Sequence, residues 1–377
     1  MTHDETFRPL RVGEGRISGY LSITFGVLSL FGVLCFLFPD FLTTPSLREG
    51  YGTHLDVMRE VLGAGMVFSA GFGLLTFVLN RRKKLGAIGI SLTLAAIWLG
   101  GTGVQVGPRY QAAGYIGMDW FILDLLASAL VFIFLEKIAP RIRDQAILRP
   151  DFWHDARYFV FNHLAIPIFL FATVTAVPTL FSWGVNDGVQ TWFRALPGIV
   201  QFLIILVSAD LMEYGFHRAM HEVPALWRIH AVHHSVEHMD WLAGSRLHLA
   251  EPLVTRALVI LPAFLLGAEG TPLFCYIVWA GFQAGLAHSN FGLNFGPLKY
   301  VLNTPQFHHW HHSSEREAID TNYAAHLPAI DWIFGTYHMP PNRWPEKYGV
   351  VGDPLPKGIV RQFFYPFRRK RAVSPAE

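Results

Sequence analysis

Four stretches in the first 150 residues each carry enough apolar residues to cross a bilayer: 17–38, 61–79, 85–106 and 115–135. A crossing helix needs roughly 20 mainly apolar residues. Composition points the same way. Charged residues are only 15% and hydrophobic residues 52%, where soluble domains carry roughly 25% charge. Mean hydropathy is +0.32. The expected fold class is all-α, a polytopic helical membrane protein.

The first sixteen residues are polar and include Asp4 and Glu5. The apolar run behind them is too long for a cleaved signal peptide and no A-x-A-like site ends it, so it reads as a retained first span. The 85–106 stretch is rich in Gly and Ala, which suits close helix packing in lipid. Residues 1–150 therefore form a four-span region. It holds Asp119, Asp124 and Glu136 but no clustered ligand residues, and reads as scaffold or substrate entry.

Beyond it, 158–181 and 196–211 are further spans, followed by two shorter apolar segments, 253–267 and 272–287. A tight spanning pair and a re-entrant hairpin would both return the chain to the side it left. The positive-inside rule applied to Arg81, Arg82, Lys83 and Lys84 places the N-terminus in the cytoplasm. Counting onward puts 217–248, His288, 308–312 and the basic tail on that same side. The divisions are then 1–150, a catalytic region 151–345, and a basic cytoplasmic tail 346–377.

The shared cytoplasmic side is where histidines concentrate. Of eighteen in the chain, twelve lie between His217 and His312. His217 and His221 form H-x3-H; His230, His233 and His234 form H-x2-HH; His308, His311 and His312 repeat that pattern. On a helix, residues three and four apart share a face. Neutral imidazole is a good ligand for iron, zinc and copper. A single buried histidine is ordinarily a satisfied core residue, but so many packed together would repel when protonated and leave unpaired nitrogens when neutral. Eight are too many for one ion and suit two metals held close together. The expected architecture thus gains a cytoplasmic, histidine-rich, metal-binding cap.

These clusters, with Asp210, Arg246-Leu247-His248-Leu249-Ala250-Glu251, His288-Ser289-Asn290, Asp320-Thr321-Asn322-Tyr323 and Asp331 through Thr336, resemble the fatty acid hydroxylase/sterol desaturase family of integral-membrane di-iron enzymes. The resemblance covers roughly residues 151–340. It implies two iron ions that activate O2 and attack an unactivated C–H bond of a membrane lipid or sterol-like molecule. It also implies that His217, His221, His230, His233, His234, His308, His311 and His312 bind metal, with His288 as a ninth. Some relatives carry a further ligand four residues before His288. Ala284 stands there, which implies an open coordination position. His248 and Glu251 occupy the family's H-P-x-E position, with Leu249 in place of proline, and are expected to orient the site.

Asp210 lies seven residues before His217 on the same helical face, and Glu213 four before it. An acid inside a membrane is a functional candidate, and ligating imidazoles usually donate their second N–H to a carboxylate. Asp210 is therefore expected to support an imidazole, as are Asp320 and Asp331 for the last cluster. Glu213 reads equally as support or as a plain charge. His238 and His309 fall off the helical pattern and read as surface or supporting residues. His3, His54, His154, His163, His326 and His338 lack cluster partners and read as ordinary histidines.

Several classes are excluded. A net charge of +2 without basic and aromatic interleaving gives no nucleic-acid partner. Cys35 and Cys275, the only cysteines, cannot build an iron–sulfur cluster or a zinc site. No G-x-G-x-x-G motif or His-Pro-Gly-Gly segment is present, so electrons must come from an external ferredoxin or cytochrome b5-type donor. Arg361 and Arg368–Arg371 suit either an acidic donor or anionic lipid. The expected activity is O2-dependent lipid hydroxylation. Desaturation and ether-lipid oxidation share the same motifs, whereas patterned clusters outside the spans argue against a metal transporter.

Overall fold

The computed structural model describes residues 17–42, 45–80, 83–107, 118–165, 168–169, 171–341, 343–352 and 355–368. Among them the chain is helical, with no strand and two isolated bridges, Pro140 with Phe291 and Ser313 with Tyr348. Four helices are long and apolar enough to cross a membrane: Ile17–Leu37, His54–Leu79, Lys84–Gly103 and Gly198–Glu222. Arg81 and Arg82, which carried part of the orientation argument, and Arg369, Lys370 and Arg371 of the tail lie outside the described residues.

The chain divides into two compact units, Met1–Ile138 and Ala139–Glu377. In the first, lipid offers no hydrophobic drive for helices to associate, so close approach and buried hydrogen bonds must hold them. Ser22 donates to the Ser69 carbonyl at 2.8 Å, Ser69 returns a bond to the Ser22 carbonyl at 2.7 Å, and Thr93 donates to the Ser69 hydroxyl at 2.7 Å. Gly89 faces this seam, where a Cβ would overlap Ser22. Beside the seam Val33, Phe36, Leu62, Met66 and Ala96 form an apolar core. Within the Lys84–Gly103 span the α-helix itself is Lys84–Trp98, short of residue 106; Gly100 and Gly101 turn the chain at φ 121 and 55 into a 3-10 turn, Gly101–Gly103.

The second unit departs from expectation between 158 and 181. That stretch is not one continuous span. A helix Phe152–Leu164 ends there, and a π-helical turn Phe171–Ala176 leads into a short helix Val177–Phe181 containing Pro178. Pro178 has no amide to donate to the preceding turn, which removes one rung of the ladder. The Gly198–Glu222 helix instead runs well past residue 211, spanning roughly 37 Å. Its C-terminal turns carry His217 and His221. Pro224 restarts the chain as Pro224–His234, and two further helices follow, Ala250–Leu265 and Gly270–His288. Phe193, Ile205, Leu206, Ala209, Ala263 and Tyr276 are the buried core between them. Residues 359–367 belong to this unit, where the Tyr158 hydroxyl donates to Gln362 at 2.8 Å.

Candidate metal centre

Helical geometry sorts the histidines into two groups. His217, His221, His230, His234 and His311 form one, and His233, His288, His308 and His312 the other; within each, the ligand atoms lie within 4.8 Å of one another. Each H-x2-HH segment divides between them. Residues four apart share a face, so His230 and His234 join the first group while His233 joins the second. His308 and His312 join the second group and His311 the first. His288, the last residue of its helix, completes the four-membered group.

For four of the rings a backbone carbonyl fixes which nitrogen carries the proton. His233 Nδ1 lies 3.2 Å from the Arg246 carbonyl and His288 Nδ1 lies 2.8 Å from the Ala284 carbonyl. A carbonyl only accepts, so both Nδ1 atoms donate, and in a neutral ring Nε2 is then a bare lone pair. Those two Nε2 atoms face each other at 3.2 Å. In the other group His217 Nδ1 donates to the Tyr323 carbonyl at 2.7 Å and His311 Nδ1 to the Thr321 carbonyl at 2.8 Å. The buried Nε2 atoms of His221 and His311 have no partner. Burial, reinforced by neighbouring imidazoles, pushes His230, His233, His234, His308, His311 and His312 well below the ordinary histidine range near 6.5. Neutral rings with converging, unpaired lone pairs are the donor set that a metal cation satisfies.

The supports differ between the groups. Glu251 accepts from His230 Nδ1 at 3.0 Å, and Asp320 pairs with His221 Nδ1 at 3.2 Å. In the four-histidine group the supporting oxygens are the backbone carbonyls of Arg246 and Ala284. Arg246 is itself locked into a buried charge network. Its Nε reaches Asp155 at 2.5 Å, and Arg149 spans Asp155 at 2.7 Å and Asp240 at 2.5 Å. Gly244 lets the backbone pass beside His288, where a Cβ would lie 2.9 Å from Nδ1.

Other residues sit differently from their sequence reading. The bonds the structure gives Asp210 come from the backbone amides of Ala325, His326 and Leu327, at 2.8, 3.1 and 2.6 Å, and not from an imidazole. Asp331 likewise holds the amides of Tyr323 and Ala324 at 2.7 and 2.9 Å. The two carboxylates fix residues 323–327, and so the carbonyl that His217 uses. Asp320 serves His221 rather than the last cluster. His248 Nε2 bonds the Phe363 carbonyl at 2.9 Å, tying its segment to the C-terminal helix. His309 is fully buried; its Nε2 lies 3.1 Å from the Ser289 carbonyl and its Nδ1 3.0 Å from the Tyr348 hydroxyl, bracing the segment after His288. The Asp155–Arg246 network had no motif, though a charge kept in so apolar a chain was its signal. The Thr321 and Tyr323 carbonyls, being backbone, left none.

A model of the fatty acid hydroxylase family matches residues 202–336. Among curated proteins, ornithine lipid hydroxylase OlsE of Rhizobium tropici is 30% identical over 302 residues, covering 78% of this chain and 88% of that protein. Alkylglycerol monooxygenase of Homo sapiens is 33% identical over 154 residues, 40% of this chain and 31% of its own length. Very-long-chain aldehyde decarbonylase GL1-6 of Oryza sativa subsp. japonica is 31% identical over 159 residues, 39% of this chain and 24% of that one. This chain therefore spans less than a third of the latter two. No solved structure matches.

Proposed function

The chain belongs to the fatty acid hydroxylase family, and from that premise we propose that it is a multi-pass membrane oxygenase hydroxylating a C–H bond of a membrane lipid with O2. The observation that carries the metal site is the pair of Nε2 lone pairs of His233 and His288 facing each other at 3.2 Å. His217, His221, His230, His234 and His311 would hold one iron ion, and His233, His288, His308 and His312 the other. Bound iron supplies the activation of dioxygen and the removal of hydrogen from an unactivated carbon.

The protein's own part is positioning. Glu251 and Asp320 keep the protons of His230 and His221 on Nδ1, which turns each Nε2 toward the centre. Asp210 and Asp331 hold the 323–327 backbone, and the Asp155–Arg246 pair holds the carbonyl that orients His233. The metal side faces the cytoplasm, where a ferredoxin or cytochrome b5-type donor delivers electrons. Ala284 stands where some members of the family carry a further ligand, so that position would supply no donor to a metal held by the four-histidine group.

Lipid mass spectrometry tests this in cells expressing the intact protein or a His311→Ala/His312→Ala double variant. A lipid that gains one oxygen only with the intact protein is the expected result. Loss of two hydrogens would identify a desaturase. Release of an aldehyde from an O-alkyl lipid would identify the ether-cleaving reading that the similarity to alkylglycerol monooxygenase favours. Identical lipid profiles, with both proteins folded and a donor supplied, would overturn the proposal.

A further inference from the structure

Three large apolar side chains in a row, Trp332, Ile333 and Phe334, stand 61%, 77% and 50% exposed at the end of the Pro328–Phe334 helix. Gly335, at φ 75, turns the chain back behind them. The helix that carries them is fixed from its other side: Ile330 and Asp331 are buried, and Asp331 holds the Tyr323 and Ala324 amides. An exposed apolar tip on a fixed element marks a contact with protein or membrane.

The Gly198–Glu222 helix shows which of the two it is. Ile199, Leu203, Val207 and Leu211 recur at every fourth residue and are all exposed, a stripe about 18 Å long that suits lipid. The stripe gives way to an exposed ion pair, Arg218 with Glu222 at 2.7 Å. The boundary from apolar to charged therefore falls within two turns after Leu211, and Tyr214 stands in it, its hydroxyl accepting from Arg218 at 3.3 Å. Phe334 stacks on Tyr214 with ring centroids 5.0 Å apart. The tip thus meets the crossing helix at the level where hydrocarbon ends. Its surroundings are those of an interfacial zone, where Trp and Tyr concentrate. From Trp332 the Tyr300 ring lies 6.4 Å away and the Tyr337 ring 5.3 Å, and Lys299 Nζ sits 5.3 Å over the Tyr300 ring. On either side of Tyr300 in the chain, Leu298 and Val301 are exposed as well.

We propose that the Pro328–Phe334 tip and the Gly296–Tyr300 turn form an anchor that dips into the lipid surface on the metal side of the bilayer. Ile333 and Phe334 enter the outer hydrocarbon, Trp332 and Tyr300 lie in the headgroup zone, and Lys299 reaches up to lipid phosphate. The occupant is lipid because the patch continues the stripe that the crossing helix already turns toward it. Asp331, on the same helix, fixes the Tyr323 backbone, whose carbonyl accepts from His217 at 2.7 Å. The anchor therefore sets how far the five-histidine group stands from the membrane. The inference extends the multi-pass reading and needs the Gly198–Glu222 helix to cross the bilayer, but not the oxygenase activity.

The test is a depth measurement by power-saturation EPR on full-length protein, loaded with diamagnetic zinc, in phosphatidylcholine nanodiscs. A chain with Cys35→Ala and Cys275→Ala receives one spin label, at Ile333→Cys, at Val301→Cys or, as a mid-span control, at Val207→Cys. O2, which partitions into lipid, should relax the labels at 333 and 301 severalfold more than water-soluble nickel-EDDA, as at 207. Stronger relaxation by nickel-EDDA at 333 and 301, with 207 protected, would place the tip in water and overturn the anchor alone. Labels at 333 and 301 shielded from both relaxants would mean that protein, such as a second copy of the chain, covers the patch, and would overturn it equally. Access of nickel-EDDA to 207 would overturn the anchor and the crossing helix together. No outcome depends on turnover, so an absent oxidation product in cells leaves the depth measurement untouched.

Discussion

The two histidine groups share the Pro224–His234 helix and the 305–312 segment yet are braced by different chemistry. The five-histidine group has a carboxylate behind His230 and another behind His221. The four-histidine group leans on backbone carbonyls, one of them belonging to an arginine fixed in a buried ion network. A carboxylate behind an imidazole raises its basicity and strengthens its bond to a metal; a carbonyl orients the ring with less electrostatic gain. The same residue type, at the same helical spacing, thus receives carboxylates as well as carbonyls in one group and backbone carbonyls in the other. What separates them is the residue behind each ring, not the ring itself.

The largest effects should come from the rings themselves. His311→Ala and His312→Ala should each bring lipid oxidation to background while metal analysis shows the loss of about one equivalent from different groups. Loss of both metals from either variant would show that the groups are one cooperative unit. Next, Asp155→Asn leaves Arg149 and Arg246 buried with an uncompensated partner and should destabilise the fold by roughly 3–5 kcal/mol in chemical denaturation. Any metal lost by the surviving folded protein should come from the four-histidine group, because Arg246 supplies the carbonyl for His233.

Smaller, and aimed at the other side, Glu251→Gln should weaken metal affinity of the five-histidine group by roughly 10–100-fold, read by competition with a chelator. Asp320→Asn should do less, since that carboxylate is 56% exposed and water screens it. Acid supplies the gentlest probe. The clustered imidazoles are held below their ordinary value near 6.5, so below about 6.5 the unfolded chain binds more protons than the folded one. Stability is then full above that value and falls as pH drops. Melting of metal-free protein between pH 8 and 5 should show it. In metal-loaded protein, the carbonyl-backed group should release its ion at a higher pH than the carboxylate-backed one.

The nine clustered histidines and the membrane helices Ile17–Leu37, His54–Leu79, Lys84–Gly103 and Gly198–Glu222 were legible in the sequence, because both signals are periodic or contiguous. The family resemblance marked Glu251 as a residue that orients the site without saying which ring it serves; the structure sets its carboxylate 3.0 Å from His230 Nδ1. Asp210 was read as a partner of imidazole from spacing alone, but shared helical face does not say which loop lies opposite; residues 325–327 take that place. The break within 158–181 was hidden by hydropathy, which counts apolar residues and takes no account of the Phe152–Leu164 helix ending at Ala165. His309, off the helical pattern, was read as a surface or a supporting residue, and its buried ring supports: it braces the backbone at His288 and Ser289.

The order in which the two groups acquire their members has a consequence for how the protein is made. Neither is complete until residues 308–312 exist, since the five-histidine group needs His311 and the four-histidine group needs His308 and His312. A nascent chain that has already inserted the Gly198–Glu222 helix carries His217 through His234 as an unfinished nest of imidazoles. On the two-metal proposal, full metal loading would then come late in biosynthesis, and a chain cut short before residue 308 would lack three of the nine imidazoles.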